Sequence, residues 1–94
     1  MGWGFKMDGA EIYRSFVGRL REAVDSDAKR LSNTEERMGE NTNKAQRNRM
    51  VGDARFYGKM EHGTMVRHYN DAISMLAELA GQKSIKLRPK YCPK

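Results

Sequence analysis

Ninety-four residues with 38% hydrophobic content make one domain's worth of chain, near the low end of what holds a core alone. Charged residues reach 32%, mean hydropathy is -0.85 and formal charge is +6, yet Ile, Leu, Val, Met and aromatic residues recur in register, which excludes a disordered polyelectrolyte. A single cysteine, Cys92, excludes an intrachain disulfide and a cysteine-rich zinc cluster, and no apolar run approaches the ~18 residues needed to cross a bilayer.

The start, Met1-Gly2-Trp3-Gly4-Phe5-Lys6, lacks the basic stretch and apolar region of a secretory leader, and Lys6 stands where a myristoylation signal requires Ser or Thr. The expected location is the cytoplasm, with no membrane partner. Asp8 or Gly9 is placed to cap a first helix. Ile12, Tyr13, Phe16, Val17, Leu20, Val24 and Leu31 then recur at steps of three and four, the spacing of one buried helical stripe. Arg14, Arg19, Arg21, Glu22, Asp25 and Lys29 form its polar face. Ser32 with Glu35 and Asn33 with Glu36 are overlapping capping-box patterns, but the stronger break is Gly39-Glu40-Asn41-Thr42-Asn43, so the first helix is expected to continue to about Met38.

A second helix is predicted from Lys44 to Ala80, because both prolines, Pro89 and Pro93, lie beyond Arg88. Its main apolar row is read as Val51, Ala54, Gly58, Glu61, Met65, His68, Ala72, Met75 and Leu79, with Phe56, Val66, Tyr69, Ile73, Leu76 and Ala80 beside it. Gly58 and Gly63 each cost a helix about 1 kcal/mol relative to Ala, so a break near Gly63-Thr64 into three helices is the alternative. Gly81 is the expected C-cap. The fold class is therefore all-α: an antiparallel hairpin of two long helices over residues 1–82, followed by a short basic arm over 83–94. Lys83 to Arg88 alternates polar with apolar and reads as extended. The second helix carries more apolar surface than one partner covers, and Met50, Met60, Met65 and Met75 suit an adaptable interface, so a homo-oligomer is expected.

Charge is concentrated. From Asp8 to Glu40 eight acids face six bases, whereas Lys44 to Lys59 nets +4 and Lys83 to Lys94 nets +5. Arginine forks and lysine ammoniums gathered on one face are the residues that bind phosphate, so Lys44, Arg47, Arg49, Arg55, Tyr57 and Lys59 are the candidate ligand-binding residues, with Lys86, Arg88 and Lys90 on the arm. The bland alternative is a polar helix face that keeps the chain soluble. Trp3 and Tyr91, on the tails, are expected to anchor those tails to a neighbouring subunit rather than to stack on bases.

Catalysis finds no foothold. His62 and His68 are six apart, about 120° round a helix, not the three or four that share a metal. Asp71 is spaced to orient His68, but no serine or cysteine beside them has an activating context. The glycines are scattered and Gly52 and Gly58 lack the Lys-Ser/Thr of a phosphate loop. No catalytic residue, metal or cofactor is assigned. The expected function is non-enzymatic capture of a phosphate-bearing anion, either a nucleic-acid backbone or a small nucleotide held between basic residues and Tyr57 or Tyr69. The alternative is a protein-binding inhibitor or adaptor that occludes a larger partner. Size, basic charge and hairpin pattern give a general likeness to small phage-encoded accessory and counter-defence proteins; it rests on no motif, implies binding over catalysis and supplies no site residues.

Overall fold

The computed structural model describes residues 8–40 and 43–91. Expectations for Trp3, Phe5, Lys6, Asn41, Thr42, Cys92, Pro93 and Lys94 lie outside these residues. Two helices, α1 (Gly9–Gly39) and α2 (Lys44–Ala80), pack against each other as a hairpin. Asp8 caps α1, its carboxylate accepting from the Glu11 amide at 2.8 Å, and the continuation through Ser32-Asn33 holds. Asn43 caps α2 in the same way through Gln46. Gly81 closes α2 in the left-handed region at φ 66°, where a side chain would be strained.

At 1.5 Å per residue a straight 37-residue helix runs roughly 55 Å. The molecule's longest extent is 58 Å, so α2 passes Gly63 without a break. The expected alternative of three helices is not realised.

The seam between the helices differs from the expected rows in two places. On α1 the buried residues are Tyr13, Val17, Val24, Ala28 and Leu31, but Ile12 lies outside and is 47% exposed. On α2 they are Gly58, His62, Val66, Ile73 and Ala77, while Glu61, His68, Ala72, Met75 and Leu79 of the expected main row face solvent. Gly58 of the expected main row and Val66 and Ile73 of the flanking row do lie in the seam, whereas His62, being polar, and Ala77 belonged to neither row. At Gly58 a Cβ would stand 3.1 Å from Leu31 Cδ2 and 3.2 Å from a Tyr91 ring carbon, so the absent side chain permits close approach. At His62 a polar ring is buried with all its hydrogen-bonding capacity used.

The third packing element is the arm. After Gly81 the chain turns back and runs extended along the hairpin to Tyr91, placing Leu87 in the main core cluster with Tyr13, Val17, Val24, Val66 and Ile73. Tyr91 joins Ala28 and Leu31 in a second cluster. Apolar surface that two helices alone leave open is covered by the protein's own C-terminal segment.

An extended segment without a neighbouring strand must still pair its backbone groups. Helix side chains do this. The Tyr13 hydroxyl donates to the Lys83 carbonyl at 3.1 Å and accepts from the Ile85 amide at 2.8 Å. The Asn70 carboxamide brackets Leu87, accepting from its N–H at 2.7 Å and donating to its carbonyl at 3.0 Å. His62 Nε2 accepts from the Lys90 and Tyr91 amides at 3.0 and 3.3 Å.

Candidate anion-binding site

Pinning the arm's backbone decides where its charges go. In an extended chain alternate residues point to opposite sides. Leu87 and Tyr91 are buried, so the arm's other register, Lys86, Arg88 and Lys90, is presented at the surface. Lys90 is held by its own amide on His62, midway along α2, and lines a recess with residues of the first half of that helix.

There a cleft of about 820 Å³ opens between the ends of the helices and the arm; Arg47, Asn48 and Arg55 of α2, Glu35 and Glu36 of α1, and Lys90 with Tyr91 line it. The two basic segments, far apart in sequence, therefore meet in one recess. Arg55 Nε donates to Glu35 Oε1 at 2.5 Å, and the Tyr91 hydroxyl donates to the other oxygen of the same carboxylate at 3.1 Å. Burial first, and then this bond to the Glu35 carboxylate and its charge, push the Tyr91 phenol above its ordinary 10.0. The network holds Arg55 through Nε, and its side chain is 40% exposed. With three bases against two acids, the cleft is only weakly positive.

A second basic recess adjoins the first, because Lys90 lines both. It is a groove of about 180 Å³ between α1 and the arm, walled by Arg21, Lys86, Arg88 and Lys90 over Val24 and Leu87. Arg21 was assigned to the polar face of a slightly acidic helix, and periodicity alone could not associate it with a segment 65 residues later.

The remaining candidates spread elsewhere. Lys44, Arg49 and Tyr57 are exposed and line neither basic recess. Tyr57 meets Phe56 edge to face at 5.2 Å between ring centroids. Lys59 sits with Phe56, Met60 and Arg67 on another side of α2. Tyr91 is buried against its own chain, with its ring 6.2 Å from that of His62, which corrects its expected role as an anchor on another subunit.

His62 is the residue that sequence reasoning missed. It is 1% exposed, and two amides point at its Nε2, so the ring proton resides on Nδ1, which donates to Asp27 Oδ2 at 2.8 Å. Burial pushes the Asp27 carboxyl up, but hydrogen bonds from His62 and Arg30, with the Arg30 charge, outweigh it and hold the group below its ordinary 3.8. A lone histidine among apolar residues offers no signal of this role. The spacing of His62, Asn70 and Ser74 on one side of α2, facing an extended tail, is the trace it leaves, since Ser74 also meets Ser84 at 3.1 Å.

No helix among the described residues is long and apolar enough to cross a membrane. The chain matches no protein-family model, no curated protein and no solved structure.

Proposed function

We propose that this protein is a non-enzymatic binding protein that captures a phosphate-bearing ligand along its basic face, and that the ligand is a nucleic-acid backbone. The observation that carries the reading is the meeting of the two basic segments: Arg47 and Arg55 share one cleft with Lys90, which also lines the groove holding Arg21, Lys86 and Arg88. A continuous line of cations suits a polyanion, whose successive phosphates engage them in turn. Neither recess includes an exposed aromatic ring, since Tyr91 is 5% exposed and Tyr57 lies outside both, so contacts fall on phosphates rather than on stacked bases. That weighs against the small-nucleotide version.

The test is anisotropy of a labelled single-stranded oligonucleotide across salt concentrations. Each phosphate neutralised contributes a slope of roughly -0.7 in log affinity against log salt. Four to six contacts therefore predict a slope near -3 to -4, reduced by about one contact in Arg55→Gln and in Lys90→Gln. Salt-independent binding, or none, refutes the reading.

A second reading, a protein-binding adaptor or a homo-oligomer in the cytoplasm, is favoured by the outer face of α2. Phe56, Tyr57, Met60, Met75 and Leu79 are all more than half exposed there, and Met60, Met65 and Tyr69 line an apolar recess of about 510 Å³. Exposed large side chains of this kind mark association surfaces. Native mass spectrometry of the purified protein reports copy number and any co-purified nucleic acid in one spectrum; a bare monomer counts against both readings.

A further inference from the structure

We propose that the groove between α1 and the arm is a binding site for a phosphate monoester, with Arg21, Lys86, Arg88 and Lys90 as its cationic walls. This rests on the phosphate-binding reading above and narrows it to one terminal group at one place.

Among the described residues the lining contains four cations and no acid. A polar surface that serves only solubility disperses like charges or pairs them with carboxylates, as α1 does with Arg30 and Asp27 and as the cleft does with Arg55 and Glu35. None of the four groove side chains takes part in an ion pair among the described residues. Their mutual repulsion is a cost to the empty protein that an anion removes.

The groove's size selects the anion. At about 180 Å³ it is well below the ~300 Å³ at which sites for whole small molecules begin, and suits a single tetrahedral group. A diester phosphate brings one charge and two free oxygens. A monoester brings about -1.5 to -2 and three acceptor oxygens, the better match for two arginine forks and two ammoniums.

The walls are held in place before any ligand arrives. Asn70 fixes both backbone groups of Leu87, the residue between Lys86 and Arg88, and His62 fixes the amide of Lys90. Leu87 and Val24, both buried, form an apolar floor that excludes water from one side and strengthens charge-assisted bonds above it. Lys90 joins the groove to the larger cleft, so a strand whose backbone lies in the cleft places its end in the groove.

The experiment compares one single-stranded oligonucleotide carrying a 5′-phosphate with the same strand carrying a 5′-hydroxyl, using wild type, Arg21→Gln, Arg88→Gln and, as a control of equal charge outside both basic recesses, Arg67→Gln. The phosphorylated strand is expected to bind roughly five- to tenfold more tightly to wild type. That preference disappears in Arg21→Gln and Arg88→Gln and survives in Arg67→Gln. Equal affinity of the two strands for wild type, or a loss in Arg21→Gln no different between them, overturns the groove while leaving the backbone reading standing.

A nucleoside 5′-monophosphate, titrated calorimetrically, separates the sources of the phosphate. If it displaces the strand at comparable concentration, the groove takes the group from a small ligand; if it does not while the phosphorylated strand is preferred, the polymer end is the ligand. Should neither strand bind, the backbone reading fails, and the monophosphate decides the groove: heat that vanishes in Arg21→Gln upholds it, and no heat overturns it.

Discussion

His62 Nδ1 donates to Asp27 across the helix seam at 2.8 Å, and this bond fixes the tautomer in which Nε2 receives the amides of Lys90 and Tyr91. One buried ring thus joins α1, α2 and the arm, and through Lys90 it positions the basic recesses.

Replacing His62 with Leu preserves approximate volume but leaves two amides and Asp27 Oδ2 without their partner, while Asp27 Oδ1 keeps Arg30. Unsatisfied buried groups of this kind cost about 1–3 kcal/mol each when fully buried, so a total loss of about 2–4 kcal/mol is expected after local relaxation. Urea denaturation measures it. Limited trypsin proteolysis should show cleavage after Lys86 or Lys90 accelerated beyond cleavage within α1. A loss below about 1 kcal/mol would mean the arm is held by Leu87 and Tyr91 packing alone.

The glycines of α2 divide into two kinds, and alanine substitution separates them. A Cβ at Gly63 or Gly52 meets nothing within 4 Å, so each substitution to Ala is expected to raise stability by about 0.5–1 kcal/mol through helix propensity. At Gly58 the same gain is opposed by contacts at 3.1 and 3.2 Å with Leu31 and Tyr91, giving a net change near zero or a loss. Gly58→Val extends the clash and should destabilise by about 2–3 kcal/mol. Thermal melts of the four variants give the order G63A and G52A above wild type, G58A at or below it, G58V lowest.

The two shifted groups set opposite pH limits. The Asp27 carboxyl is held below 3.8, so the unfolded chain binds the proton first; its contribution to stability is present above that value and is lost as pH falls through the folded value. The Tyr91 phenol is raised above 10.0, so its contribution is present below pH 10.0 and is lost as pH rises through the folded value. Denaturant midpoints measured across pH should fall at both extremes. Asp27→Asn should flatten the acid limb alone, and Tyr91→Phe the alkaline limb alone; a Tyr91→Phe protein whose alkaline limb matches wild type contradicts the assignment.

Asn70 supplies a sharper test of the arm, because its two ends do different jobs. Asn70→Asp keeps an acceptor for the Leu87 amide but opposes the Leu87 carbonyl with a second acceptor, and is expected to cost about 1–3 kcal/mol near neutral pH. Protonation restores a donor, so the deficit should narrow as pH approaches 4. Hydrogen exchange of the Leu87 amide reports the same change locally; unchanged protection would show that the bracket does not hold the arm.

Local rules determined much of this protein from sequence alone. Caps at Asp8 and Asn43, the Gly81 stop and the position of both prolines fixed two helices and their ends, because these signals act within a turn or two of the chain. The concentration of bases at 44–59 and 83–94 was equally plain. Tertiary structure alone decided the rest. Periodicity counts apolar side chains, and so passed over His62, which is buried, polar and fully paired, and drew the α2 seam through His68, Met75 and Leu79, which are exposed. The arm's path depends on bonds spanning 17 to 72 residues, from Asn70, His62 and Tyr13 to backbone groups that any sequence would carry. That path brings Arg21 opposite Lys86 and Arg88, and so gathers part of a bulk charge of +6 into a groove whose four cations form no ion pair among the described residues.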